Sequence, residues 1–246
     1  MRTFYLAPEK WSSDAELTGG EAHHISDVLR LHPGDSVCLI DGKGREGNFL
    51  IRTVGRKCVS LQKISEQVHP RPSSGLTLAV AWSKEVRRSW LLEKSVEFEA
   101  EAIWFWKAER SQFDLPDKIS DTWTASLIAG AKQCHNVWLP EIRLISAGVG
   151  GLIRQAESFD HRHVLVESTL PSQRFLSFEQ IPATGRTICV IGPEGGFTLQ
   201  EVNMLEDARF QSCSLGKRIL RWETASMLAL GLSWWKRQSS LNSDAE

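Results

Sequence analysis

The sequence predicts an α/β protein, a parallel sheet with helices on both faces, preceded by a small antiparallel β-barrel. Three observations carry this. Strand-like and helix-like runs alternate through the larger, C-terminal part of the chain, the pattern of a parallel sheet covered by its own crossovers. The N-terminal part instead has short apolar stretches split by turn residues, with Asp41-Gly42 between two of them. Asp-Gly supplies the positive φ that a primed hairpin turn needs. Between the two parts lies Ser65 to Gly75, with Pro70, Pro72 and three serines but no apolar period.

The barrel, over residues 1–70, contains strand-like runs at Ser36 to Ile40, Gly47 to Val54 and Cys58 to Ile64. Ser65 to Gly75 interrupts both helix and strand and reads as the linker. The second domain, 74–246, opens with Leu76 to Trp82 as strand and Glu85 to Phe98 as helix. Ala102 to Trp106, His163 to Glu167 and Thr187 to Ile191 continue the strands; Thr122 to Cys134, Leu199 to Leu205 and Trp222 to Lys236 continue the helices. Thr198 with Glu201 three residues on forms a capping box for the helix at Leu199. Gly148-Val149-Gly150-Gly151 lacks the full spacing of a dinucleotide turn and reads as a loop. Ordinary topology rules give the sheet an unknotted, doubly wound order.

With 246 residues and 41% hydrophobic content, the chain can bury a real core in one or two domains. No apolar run is long enough for a membrane span, and the N-terminus lacks the basic and hydrophobic regions of a secretory leader. No membrane association and a cytoplasmic location are expected. The five cysteines are scattered and odd in number, without a Cys-x-x-Cys pair, so neither a disulfide framework nor a zinc site is indicated. His161 and His163 lack a third ligand nearby, and no metal is expected. A net charge of −1 means that any nucleic-acid surface must be local.

Ile191-Gly192-Pro193-Glu194-Gly195-Gly196-Phe197 follows the strand Thr187 to Ile191. It therefore falls at the carboxyl end of a parallel strand, where ligands settle in open α/β sheets. Taken alone it is equally a plain strand-to-helix turn. The second segment, Leu215-Gly216-Lys217-Arg218-Ile219-Leu220-Arg221-Trp222-Glu223-Thr224-Ala225, is a constrained loop opening into a helix, and the pair together suggests one nucleotide-type site. There is no Gly-x-x-x-x-Gly-Lys-Ser/Thr phosphate loop. Ala225, Leu228, Leu232 and Trp235 share a face of the final helix, alongside Met227, Gly231 and Trp234, a stripe wide enough for burial on more than one side.

These two motifs closely resemble the ribosomal RNA small-subunit methyltransferase E family. The likeness extends to His24 through Leu31 and to Gly34-Asp35, which are similar to the family's PUA-like RNA-binding barrel. Lys94 and Glu97 and the run Glu109-Arg110-Ser111 also match. Phe98 stands for leucine, Glu99 for glycine, Lys132 for glutamate, His135 for glycine and Asn136 for arginine. The resemblance implies a SPOUT domain, α/β with a parallel sheet and a C-terminal trefoil knot, that binds S-adenosylmethionine and methylates N3 of a uridine in 16S rRNA of the small ribosomal subunit, as a homodimer.

It further implies that Leu165, Val166 and Glu167, Ile191, Gly192, Pro193, Glu194, Gly195 and Gly196, and Leu215, Gly216, Ile219, Leu220 and Thr224 hold the cofactor. Deprotonation of uracil N3 spreads charge onto the flanking oxygens, which Arg221 or Arg218 can stabilise. Glu223 or Glu194 can accept the proton, or serve instead in a helix-terminal or ion-pair role, and no general base is assigned. Lys84, Arg87, Arg88, Arg110, Lys217, His24 and Arg30 are candidate RNA contacts, positioning phosphates without reading bases. Each is equally a solvated charge, and His24 equally a structural histidine. A noncatalytic RNA-binding assembly factor on the same scaffold, or a related methyltransferase acting on tRNA, is the alternative.

Overall fold

The structure is a computed structural model that describes residues 2–83, 87–167, 180 and 182–243, with side chains to residue 240. The chain forms two compact units: Met1–Arg71 with Ile128–Leu139, and Pro72–Leu127 with Pro140–Glu246.

In the first unit, β1 (Thr3–Tyr5), β2 (Asp14–Thr18), β3 (Ser36–Ile40), β4 (Arg45–Val54) and β5 (Cys58–Val68) form one sheet in the order β1-β3-β4-β5-β2. The helix α1 (Gly19–His23) and a π-helical turn at His24–Val28 connect β2 towards β3. Alternate residues Val37, Leu39, Phe49, Ile51, Val59 and Leu61 point into a core shared with Phe4, Leu17 and Ile25, the period of two expected of a one-sided sheet. The sheet is antiparallel, as expected, except at one edge. β1 pairs in parallel with β3, because the chain crosses over through β2 and the helical turns before it returns. The edges β1 and β2 do not pair, so the sheet is a curled half-barrel, bent by irregularities in β4 at Asn48/Phe49 and Ile51/Thr53.

The expected linker is also shorter than its composition suggests. Ser65 to Val68 continue β5 because they still pair with Asn48 to Arg45 of β4. The segment Ile128–Leu139 joins this unit through backbone bonds from the Gly44 amide to Val137 O (2.9 Å) and from the Leu139 amide to Gly42 O (3.0 Å). Lys132 pairs with Glu21 at 2.7 Å.

The second unit is an all-parallel sheet of β6 (Gly75–Ala81), β7 (Ala102–Trp106), β8 (Glu141–Ile145), β9 (His161–Leu165), β10 (Arg186–Ile191) and β11 (Gln211–Cys213), ordered β11-β9-β10-β6-β7-β8. Every residue of β6 and β7 is buried, as expected of parallel strands with helices on both faces. Its helices are α2 (Arg88–Glu97), α4 (Gly148–Gln155), α5 (Leu199–Asp207) and α6 (Trp222–Ser243), and α3 (Asp121–Cys134) begins in this unit and continues into the Ile128–Leu139 segment of the first.

One further sequence expectation changes. Gly148 to Gly151 are not a loop but the first turn of α4. Val149, Leu152, Ile153 and Ala156 recur at helical spacing and pack on the sheet's core, and that burial outweighs the poor helix propensity of glycine. The face of α6 that carries Leu228 and Trp235 is exposed, whereas Ser226, Ala229, Leu230, Ser233 and Arg237 are buried. The chain between β9 and β10 includes residues 168–179 and 181, which lie outside the described residues.

Candidate active site

Three strand ends lie level at the carboxyl edge of the second unit's sheet. Ile191 and Cys213 are both in register with Leu165, and the Val166 amide extends the ladder to Cys213 O at 2.9 Å. All three of the predicted backbone segments, 165–167, 191–196 and 215–220, leave the sheet here. Connections run from β6 towards β7 on one side and among β9, β10 and β11 on the other, so this edge is where the strand order diverges.

The turn after β10 is closed by the Gly196 amide donating to Pro193 O at 2.9 Å. Gly196 takes φ +68°, a left-handed backbone that favours glycine. The turn ends in the predicted capping box: Thr198 Oγ1 accepts from the Glu201 amide, and the Glu201 carboxylate accepts from the Thr198 amide. Beneath it, Trp106 Nε1 donates to Ile191 O at 3.3 Å, and the Trp106 ring stacks on Phe197 with centroids 6.0 Å apart. Among the described residues, the backbone N–H groups of Glu194, Gly195 and Phe197 make no hydrogen bond. A ligand's acceptors can use them.

The second segment and α6 enclose a cleft of about 550 Å3, lined by Leu215, Gly216, Lys217, Arg218, Leu220, Thr224, Met227 and Leu228. Gly216 has φ +130° with open space beside it, and Ser214 Oγ braces the bend by donating to Gly216 O at 3.1 Å. The walls are mostly apolar with a few polar groups, and the size lies in the range of small-molecule sites, roughly 300–1,000 Å3. An adenosine-like group fits this donor set: apolar slot, backbone donors, and no phosphate grip. Ile219 is 77% exposed and does not line the cleft. The sequence reading missed Met227 and Leu228 as lining residues, although their positions three and four residues after Thr224 put them on one helical face.

The charged candidates separate by their partners. Arg218 lines the cleft, and Lys217, Arg218 and Arg221 are exposed without an acidic partner among the described residues. Glu223, in contrast, is only 5% exposed and accepts from Arg87 Nη1 at 3.3 Å. That contact engages two candidates at once, one for catalysis and one for RNA. Arg88 is engaged as well: its guanidinium lies 3.9 Å from the Trp82 ring centre, with Trp123 and Phe105 beyond, and donates to Ser83 O. Burial lowers its pKa from the ordinary arginine value, yet arginine stays charged throughout the working range.

Arg110 donates to Gly195 O and Phe197 O. In the first unit, the half-buried His24 sets its ring edge-on to Phe4 at 5.8 Å, and Arg30 is exposed at φ +50°. Lys84 lies outside the described residues. No group of three or more potential metal-ligating side chains occurs among the described residues, and no described helix is long and apolar enough to cross a membrane.

Known proteins share this architecture over nearly the whole chain. An RNA methyltransferase domain family matches residues 70–234 and an RNA methyltransferase PUA domain family matches residues 17–63. Ribosomal RNA small subunit methyltransferase E of Bacillus subtilis is 29% identical, covering 87% of each chain. A probable rRNA methyltransferase from Porphyromonas gingivalis superposes with a TM-score of 0.85 at 26% identity, covering 98% of this chain and 100% of that one. The ribosomal RNA small subunit methyltransferase E of Neisseria gonorrhoeae, solved with S-adenosyl methionine bound, gives a TM-score of 0.75 at 27% identity, over 94% of this chain and 95% of that one. With a family match running from the linker into α6 and enclosing both strand-end loops and the cleft, the chain belongs to the RNA methyltransferase family, in the ribosomal RNA small-subunit methyltransferase E branch.

Proposed function

We infer that the chain is an S-adenosylmethionine-dependent rRNA methyltransferase whose target atom is N3 of a uridine in 16S rRNA of the small ribosomal subunit. The observation that carries this is the cleft between Leu215–Leu220 and α6, at the same sheet edge as a glycine turn whose Glu194, Gly195 and Phe197 amides make no hydrogen bond among the described residues. Leu165, Val166 and Glu167, the Ile191–Gly196 turn, and Leu215, Gly216, Leu220 and Thr224 would hold the cofactor. When bound, S-adenosylmethionine supplies a methyl group on a positive sulfur, already carrying a good leaving group.

The chain's own task is therefore chiefly alignment. Leu215, Leu220 and Met227 give the cleft apolar walls, and Arg218 and the exposed Arg221 supply positive charge for the uracil oxygens as N3 loses its proton. The curled sheet of the first unit serves as the RNA-binding domain and the second unit as the knotted catalytic domain, and two copies pair through the exposed face of α6. A ribosomal RNA target sets the work in the cytoplasm.

The test is methyl transfer from labelled S-adenosylmethionine to unmodified small subunits and, separately, to tRNA, read by nucleoside mass spectrometry. N3-methyluridine from the subunit is the expected product. Label in tRNA alone moves the target, and cofactor binding without transfer to either RNA favours a noncatalytic assembly factor.

A further inference from the structure

The loop after β7 grips the turn after β10, although the two strands are separated in the sheet by β6. Arg110 Nη1 donates to Gly195 O at 2.9 Å and to Phe197 O at 3.4 Å. Its neighbour Glu109 takes part from both ends: the Glu109 amide donates to Glu201 Oε1 at 2.9 Å, and Thr198 Oγ1 donates to Glu109 Oε2 at 3.1 Å. Arg110 and Glu109 are exposed and make no ion pair among the described residues, and Arg110 reads from sequence as a candidate RNA-phosphate contact.

Peptide planarity gives the grip a specific effect. A carbonyl and the following N–H share one rigid plane, so a plane bonded at both edges cannot rotate. The 195–196 plane is bonded by Arg110 at its carbonyl and by Pro193 O at its N–H. The 197–198 plane is bonded by Arg110 at its carbonyl and by Glu201 Oε2 at its N–H. The amides left over, those of Glu194, Gly195 and Phe197, are set in direction by these two fixed planes.

We propose that Arg110 is a positioning residue for the cofactor turn: it locks the two peptide planes that aim the Glu194, Gly195 and Phe197 amides at the ligand, and is not an RNA-phosphate contact. This rests on the reading of the turn as the S-adenosylmethionine site. Preset amides bind without an ordering penalty, so removing the lock weakens cofactor binding more than it slows the bound complex.

The test compares wild type with Arg110→Ala and Arg110→Lys by calorimetric titration with S-adenosylmethionine and by methyl-transfer kinetics with the small subunit. We expect Arg110→Ala to raise the cofactor Kd and KM roughly three- to tenfold, the loss of one or two charge-assisted bonds at an exposed site, with kcat at saturating cofactor and the RNA KM within twofold. Arg110→Lys should recover part of the affinity, and amide hydrogen exchange across 192–198 should rise in the same order. An unchanged cofactor Kd with a raised RNA KM overturns the proposal and makes Arg110 a phosphate contact. Where Arg110→Ala does not fold, Arg110→Lys and Arg110→Gln carry the same comparison. Failure of wild type to bind S-adenosylmethionine would strike the underlying site assignment instead.

Discussion

Glu223 Oε1 lies 3.3 Å from Arg87 Nη1, tying the first turn of α6 to the residue that precedes α2. The carboxylate is buried and the guanidinium largely exposed. A carboxylate in the first turn of a helix is also favoured by the helix dipole. Held by Arg87 and absent from the cleft lining, Glu223 serves as a structural anchor and is a poor candidate for taking a proton from substrate.

Glu223→Gln is therefore expected to keep kcat within about threefold, since an amide preserves a hydrogen bond to Arg87. A loss of a hundredfold or more, the usual scale for removing a general base, would assign proton transfer to Glu223 after all. Arg87→Ala should lower stability by about 1 kcal/mol, discounted for the exposure of the arginine, as read from the urea midpoint.

Two residues that replace the family's glycines, Glu99 and His135, have left-handed backbones, at φ +53° and +59°. A side chain costs roughly 1–2 kcal/mol in that region. At Glu99 the strain is held by Arg237, which donates to Phe98 O at 3.2 Å and Glu99 O at 3.3 Å and so closes the end of α2. Those bonds use the backbone and survive a change of side chain, but the Glu99 carboxylate also lies 3.9 Å from Arg237 Nη2 and accepts from Gln238 Nε2 at 3.4 Å. Losing these contacts offsets part of the strain relief, so Glu99→Gly should stabilise the protein by no more than about 0.5 kcal/mol, raising Tm by roughly 1 °C in a thermal melt. His135→Gly likewise gives up a side-chain contact, that of the His135 ring with Thr3 Oγ1 at 2.6 Å.

Much of the sheet was legible because its cause is local. β7 is an unbroken apolar run and β6 is interrupted only by Thr77, and Thr198 with Glu201 announces α5. What the sequence hid depends on partners far along the chain. Nothing in the three residues of β1 signals parallel pairing with β3. The strand β8 reads Glu-Ile-Arg-Leu-Ile, and its Arg143, paired with Glu141 at 2.7 Å, also lies over Trp104 of β7, whose ring centre is 5.3 Å away, a contact that cannot be read from β8 itself. The glycine turn and the loop before α6 were readable as a pair of motifs. The roles of Arg87, Arg88 and Arg110 were not, since a basic residue on paper does not show whether it meets solvent, an aromatic box or a carbonyl.

His163 gives the second unit an acid-sensitive core. It is 6% exposed on β9, level with Cys189 of β10 and Gln211 of β11; its Nδ1 lies 3.6 Å from Cys213 Sγ, and its Nε2 has no partner among the described residues. Burial, with a smaller push from His161, lowers its pKa from 6.5 to about 4. Burial also raises the Cys213 pKa to about 11, so the thiol stays neutral beside it. Above pH 6.5 the ring is neutral whether folded or unfolded and has no effect on the pH dependence. Below it the unfolded chain takes up a proton that the native state refuses, so stability falls as pH drops towards 4, by up to about 3 kcal/mol. His163→Gln should flatten the wild-type decline in urea midpoint between pH 6.5 and 4; an equal decline in both proteins would mean that the imidazole is not held neutral.

Leu228 and Trp235 lie seven residues apart on α6, on one face, and are 39% and 58% exposed. If this face joins two copies, Trp235→Glu should convert a dimer to a monomer in light scattering without loss of native circular dichroism. A wild-type protein that is monomeric at micromolar concentration would remove the face from the interface.

Substitution of Arg221 can separate chemistry from cofactor handling. The residue is exposed, has no acidic partner among the described residues, and does not line the cleft, while Arg218 does. Its carbonyl accepts the Ala225 amide at 2.9 Å, a backbone role that alanine retains. A side chain that stabilises charge on the uracil oxygens contributes mainly in the transition state, so its loss lowers kcat and kcat/KM together. Arg221→Ala is therefore expected to cut single-turnover methyl transfer by roughly ten- to a hundredfold, leaving the S-adenosylmethionine Kd within about twofold. Arg218→Ala, at the cleft wall, should instead raise that Kd. Equal losses of affinity and rate in Arg221→Ala would place Arg221 among the residues that shape the pocket.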